Sequence, residues 1–245
     1  MGRSTILVVE HEAGAPAAWL GDWLAAEGVT LDVRRPYAGS GAGSTLPAHL
    51  EGFDGLLVLG GGVDAWDEAS APWLPDTRAL VRAAEETQRP ALGVCLGHQI
   101  ATLALGGEVG RNPAGATIAV LPVGWGDEAA EDPLLRDLTG ASAVPHWNND
   151  VALRLPDGAR VLARSPDGAV QAARLGEWVW GVQCHPEAGP SVLQRWVDED
   201  GEPYRRRGFD LDGFLATARR RETELFTAWQ PLGAAFAALL AGARR

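Results

Sequence analysis

Three apolar runs in the first hundred residues constrain this chain most. "STILVVE" (4–10), "FDGLLVLGGG" (53–62) and "PALGVC" (90–95) are continuous rather than alternating in polarity. Strands of that kind are buried on both faces, as in parallel sheets covered by helices. Segments with helical spacing lie between them. "APAAWLGDWLAAEG" pairs Trp19 with Trp23 and Leu20 with Leu24 and stops at Gly28, while "PDTRALVRAAEETQ" carries Pro75 at its start. "VTLDVRR" adds a further strand, and "HQIATLAL" reads as a helix directly after Cys95. Strand and helix alternating through short connections predict a doubly wound, mostly parallel α/β sheet with right-handed crossovers.

The second half changes character. "GATIAVLPVGW", "SAVPHWNND", "GARVLARS", "GAVQAARLG" and "EWVWGVQCH" are short β-like runs divided by Gly, Pro and Asp turns. They predict a smaller antiparallel or mixed β portion. A helical tail follows from about residue 190, with Phe226, Trp229, Leu232 and Phe236 spaced to pack on the body. The chain reads as one domain, with a body over 1–190 and a helical extension over 191–245 packed on it. Residues 37–47, "YAGSGAGSTLP", read as a loop.

Charge narrows the function. Among 245 residues, 32 Asp and Glu against 21 Lys and Arg give a net charge of −11, which argues against nucleic acid or an anionic membrane surface as partner. The basic runs "YRRRGF" and "ATARRRE" alternate with acids and read as solvated helix faces. No stretch reads as the roughly 18 apolar residues of a membrane span. The opening "MGRSTILVVEHE" is too short in its apolar part for a signal peptide, and Ile6 stands where a myristoylation signal wants Ser or Thr. With only two cysteines, a reducing, cytoplasmic setting is expected.

Ligands of open parallel sheets bind outside the carboxyl ends of the strands, and three segments put unusual residues there. In "GVCLGHQ" (93–99), Gly93 and Gly97 flank Cys95 where a strand must turn at once into a helix. That is the strand–turn–helix logic of a nucleophile elbow, with the helix's positive end beside the sulfur. The glycines alone leave a buried, inert strand-end cysteine open as a reading. In "GVQCHPE" (181–187), His185 and Glu187 are two apart, and Pro186 biases His185 toward an extended backbone that points both side chains one way. A carboxylate beside an imidazole selects its tautomer and steadies the imidazolium, so Cys95, His185 and Glu187 read as nucleophile, base and orienter. In "LGGGVDAW" (59–66), a glycine run lets backbone N–H groups approach a reacting carbonyl. Gly61 and Leu96, the residue after the nucleophile, are the candidate oxyanion donors. The spacing G-x-G-x-x-G with an immediate helix is absent, which demotes phosphate binding.

In this order and at these separations the three segments resemble the class I, triad-type glutamine amidotransferases, a flavodoxin-like fold, over about residues 4–190. The resemblance implies attack of Cys95 on the side-chain amide of glutamine, release of ammonia and hydrolysis of a γ-glutamyl thioester. His185 would serve as base and acid, Glu187 as its partner, and Gln99 as a wall of the glutamine pocket. Neither metal nor cofactor is implied. The chain looks most like free-standing members similar to the glutaminase domain of GMP synthase. No acceptor-side synthetase signature accompanies it, so use of the ammonia would require a separate synthase subunit.

Departures from the family pattern bear on the substrate. Gly62 stands where the family usually has proline, which predicts a looser oxyanion loop. Cys184 replaces an aromatic residue and reads as a packing residue. "PHWNND" corresponds to a His-Gly-Asp loop that helps bind the α-substituents of glutamine; Asp150 matches, Asn148 and Asn149 do not, and His146 either compensates or packs. Of ten tryptophans, Trp66 and Trp147 are the candidate substrate contacts, with Gly62 and Asp150 beside them. The tail would lie outside the common fold. Two further readings stand beside glutamine hydrolysis: a hydrolase of other γ-glutamyl or small amides, and a silent binding module of the same fold.

Overall fold

A computed structural model describes residues 3–39, 45–141 and 143–243. Its elements, in chain order, are β1 (Thr5–Val9), α1 (Ala18–Ala26), β2 (Thr30–Arg34), β3 (Gly55–Val58), α2 (Leu74–Glu86), β4 (Ala91–Val94), α3 (Leu96–Ala104), β5 (Glu108–Arg111), β6 (Thr117–Pro122), β7 (Gly124–Trp125), β8 (Ala143–Asn148), β9 (Asp150–Arg154), β10 (Arg160–Arg164), β11 (Val170–Arg174), β12 (Val179–Val182), α4 (Pro190–Asp200), α5 (Glu202–Arg206), α6 (Leu211–Arg220), α7 (Glu222–Trp229) and α8 (Pro231–Ala243). The loop expected over 37–47 falls partly on residues 40–44, and the "MG" start and Ser142 likewise lie outside the described residues.

The apolar runs earn their burial on both faces. In β1, Ile6 and Val8 join one core while Leu7 and Val9 join the other; β3 divides the same way, Leu57 against Leu56 and Val58. Helices α1 and α8 supply Leu20, Trp23, Leu24, Leu232, Phe236 and Leu240 to the first core. Helices α2 and α3 supply Leu74, Leu80, Val81, Leu96 and Ile100 to the second. Each such side chain removed from water contributes roughly 1.5–3 kcal/mol.

The main sheet has eight strands in the order β2-β1-β3-β4-β12-β11-β10-β7. The five from β2 to β12 are parallel, and β11, β10 and β7 continue antiparallel. This is the doubly wound sheet with the antiparallel portion and C-terminal helices that the sequence predicts. Two strands escaped the pattern. β5 and β9 pair antiparallel in a separate two-stranded sheet, and β5 is wholly exposed or half-buried, so it carries no apolar periodicity.

The tail corrects one expectation. Glu222–Ala243 spans 22 residues and contains an 18-residue stretch of mean hydropathy 1.3, long and apolar enough to cross a membrane by length and composition. Its apolar character has a local use: Trp229, Leu232, Phe236 and Leu240 are buried in the core shared with α1, and Phe226 packs edge-on against Trp19. Helix α8 therefore helps α1 close one face of the sheet.

Candidate active site

Cys95 sits between β4 and α3 with φ 49° and ψ −105°. A side chain in that region costs about 1–3 kcal/mol, and such strain persists only where the surroundings enforce it. Enforcement comes from both sides. The Cys95 N–H donates to the Val182 carbonyl of β12 at 2.8 Å, and its carbonyl accepts from the Gln99 N–H at 3.1 Å. The flanking glycines are dictated by contact: a Cβ on Gly97 would lie 2.0 Å from the Val58 carbonyl oxygen, and one on Gly93 would lie 2.4 Å from the backbone of Gly97.

His185 and Glu187 follow β12 in a turn, Ala188 N–H donating to the His185 carbonyl at 3.3 Å, rather than in the extended segment expected. The turn still brings the side chains together, Nδ1 of His185 lying 2.8 Å from Oε1 of Glu187, with both groups buried. Gly60 lies against both imidazole and thiol: a Cβ there would lie 3.5 Å from Cε1 of His185 and 3.7 Å from Cβ of Cys95. The Trp147 carbonyl lies 3.4 Å from Nε2 of His185 and 4.0 Å from Sγ of Cys95. Burial opposes a charge on His185. The charges of Cys95 and Glu187, and the hydrogen bonds they make, outweigh it and hold the ring's proton well above the usual histidine range. Cys184 is inert by comparison, its thiol pushed well above the usual range by burial and then by the charge of Glu187, which places it as the packing residue expected.

The candidate oxyanion donors stand on either side. Leu96 opens α3, and Gly61 is crowded, a Cβ there meeting His11 at 2.9 Å and Leu96 at 3.0 Å. The Gly62 loop is tethered rather than loose, because the Gly62 N–H donates to the Glu12 carboxylate at 3.0 Å. His11 stands behind this loop, accepting from the Trp73 indole N–H at 2.9 Å, and burial lowers its pKa to about 3.

A cavity of about 390 Å³ opens over these groups, within the usual range for small-molecule sites. Gly61, Gly62, Cys95, Gln99, Trp147, Asp150 and His185 all line it, while Glu187 lies behind His185. Both N–H groups of the Gln99 amide are used internally, one on the Asp150 carbonyl at 3.0 Å and one on Gln183 at 3.2 Å, so its carbonyl is what remains for a ligand. Asp150 is held by Arg111 at 2.7 Å, and Arg111 also reaches Asp64 at 2.8 Å. Burial pushes the Asp150 carboxyl up, and Arg111 draws it back. Trp66 is a correction: it is 42% exposed and stands under Arg111 outside the lining. His146 is also outside the lining, fully buried, and burial lowers its pKa to about 4; it packs and does not compensate for Asn148.

The tail contributes what sequence reasoning missed. Trp196, Asp200, Pro203, Tyr204 and Arg207 line the outer part of the cavity. Trp196 meets the His185 ring edge-on at 4.6 Å, and Tyr204 meets Trp147 likewise at 5.4 Å. Asn149 donates to the Tyr204 hydroxyl, and Arg207 stacks over Tyr204 at 5.4 Å. "YRRRGF" is therefore not simply a solvated face.

The family model for class I glutamine amidotransferases matches residues 24–199. A glutamine amidotransferase-like protein of Salmonella typhimurium, YfeJ, is 33% identical over 183 residues, covering 73% of this chain and 74% of that protein. GMP synthase (glutamine-hydrolysing) of Aeropyrum pernix is 35% identical across 69% of this chain, which spans only 32% of that longer protein. Gamma-glutamyl peptidase 3 of Arabidopsis thaliana is 29% identical, covering 61% of this chain and 60% of that one. The crystal structure of a glutamine amidotransferase from Thermotoga maritima superposes with a TM-score of 0.84 at 23% identity, covering 97% of this chain and 99% of that one. A doubly wound sheet carrying this elbow and this family match define the class: the chain belongs to the class I glutamine amidotransferases. At 97% coverage the fold likeness reaches into the helical tail, which therefore does not stand outside the shared architecture.

Proposed function

We propose that this protein hydrolyses the side-chain amide of glutamine to glutamate and ammonia through a γ-glutamyl thioester on Cys95. The observation that carries the reading is the convergence of Cys95 and His185 at the floor of one cavity, with Glu187 hydrogen-bonded behind the histidine. Sulfur attacks the amide carbon, and the resulting oxyanion takes hydrogen bonds from the N–H groups of Gly61 and Leu96. His185, protonated at rest, gives its proton to the departing nitrogen, and the C–N bond breaks as ammonia leaves. A water then gives a proton to His185 and attacks the thioester; collapse of the second oxyanion expels the sulfur and yields glutamate. Glu187 holds the imidazole and steadies its charged form throughout. Asp150 and Arg111 offer one charge of each sign to the α-amino and α-carboxylate groups. A separate synthase subunit is the proposed consumer of the ammonia.

One observation favours a second reading. The cavity continues past His185, the group that protonates the leaving nitrogen, onto Trp196, Pro203, Tyr204 and Arg207. Space on that side suits a γ-glutamyl amide whose nitrogen carries a substituent. Ammonia and glutamate released by wild type but not by Cys95→Ala support the first reading. Release from a γ-glutamyl dipeptide with none from glutamine moves the assignment to the second, and equal release by Cys95→Ala overturns both.

A further inference from the structure

Gln183, inside the "GVQCHPE" segment, is fully buried and plays no part in the scheme above. Its orientation follows from a backbone group. The Asp150 carbonyl can only accept, so Gln99, 3.0 Å away, must present an N–H to it. The other N–H of the same Gln99 nitrogen lies 3.2 Å from the Gln183 side chain, which must turn its carbonyl oxygen that way. The Gln183 amide nitrogen is thereby left facing Sγ of Cys95 at 3.5 Å. The backbone N–H of Gln183 donates to the backbone carbonyl of Gln171 at 2.8 Å, which fixes the root of the side chain on β11.

We propose that Gln183 is a further catalytic residue of this site, donating a hydrogen bond to the Cys95 sulfur that aims it and stabilises it as an anion. The proposal rests on the reading of Cys95 as nucleophile. The direction of the donor is set through the main chain of Asp150 and not through its carboxylate. The sulfur would return to this donor when it leaves the thioester, so both halves of the reaction gain. The charge of Cys95 acts on both His185 and Cys184; His185 supplies the counter-charge and Gln183 a neutral donor.

Gln183→Glu keeps the shape and the acceptor facing Gln99 but turns an oxygen toward the sulfur. Gln183→Met removes the donor without adding charge. Hydrogen bonds to charged groups imply a loss in kcat/KM of roughly tenfold to a hundredfold, greater for the glutamate variant and carried by kcat rather than KM. The direct readout is alkylation of Cys95 by iodoacetamide followed by peptide mapping, which needs no substrate. In each folded variant the pH midpoint of alkylation moves upward relative to wild type, and reaction at neutral pH slows. Circular dichroism establishes which variants fold, and either one decides the question. A folded variant with the wild-type alkylation profile overturns the proposal, as does a loss confined to KM. An unreactive Cys95 in wild type instead sinks the nucleophile reading, and this proposal with it.

Discussion

On the floor of the cavity, Cys95, His185 and the Gly61 loop hang from the carboxyl ends of β4, β12 and β3, with the Cys95 N–H tied to β12 and the His185 N–H to Pro145 of β8. On the outer wall, Tyr204 and Arg207 come from or just beyond the five-residue helix α5, where a hydrogen bond from Asn149 and ring contacts meet Tyr204. The floor is specified by steric necessity: an elbow in which neither Gly93 nor Gly97 has room for a methyl group. The wall is specified by half-buried and exposed side chains whose positions depend on how distant segments dock. On the proposed function, reaction chemistry would sit where substitution is least tolerated and substrate preference where it is most tolerated.

Substitutions on either side should therefore differ in kind as well as size. Glu187→Gln keeps the shape but loses the charge behind His185, and kcat should fall roughly 10²–10⁴-fold with KM little changed, measured by steady-state kinetics. Phe236→Ala lies far from the site but in the core that α8 shares with α1. It should cost about 3–5 kcal/mol in denaturant unfolding, which would place the tail within the cooperative unit. Loss of the tail's contacts without loss of stability would contradict that placement.

Buried histidines sharpen the contrast through pH. Burial lowers the pKa of His11 to about 3 and of His98 and His146 to about 4. Their folded forms stay neutral while the unfolded chain takes up protons below the usual histidine range. The stability they contribute is thus present at neutral pH and declines as pH falls toward 4, at up to about 1.4 kcal/mol per pH unit for each. His185 works in the opposite sense: its raised value contributes stability below the usual range that is lost as pH rises through the elevated one. Thermal melts from pH 7 to 5 should fall steeply, and His98→Gln should flatten the slope. A flat profile would show that these sites admit water. The smallest effect is expected on the wall: Arg207→Ala should change kcat/KM roughly threefold to tenfold, more for a γ-glutamyl dipeptide than for glutamine.

Legibility in the sequence follows the same division. Runs such as "STILVVE" announce burial on both faces, and "GVCLGHQ" announces an elbow because only glycine fits at 93 and 97. Gln183 lay inside a motif already singled out, but its role depends on Gln99, 84 residues away, facing it across the fold. Arg111 was hidden because β5 is exposed and unpatterned. Tyr204 and Arg207 belong to a basic run whose composition suits a solvated surface equally well, and no periodicity marks which residues turn inward.

The central claim is that Cys95 is a nucleophile aimed at a γ-glutamyl carbonyl. Incubation with a glutamine analogue bearing an electrophilic carbon in place of the amide, followed by intact-mass analysis and peptide mapping, tests it most directly. One adduct per chain is expected on Cys95, slowed in His185→Asn and absent in Cys95→Ala. A folded wild-type protein that forms no adduct, or forms it on another residue, would contradict the account.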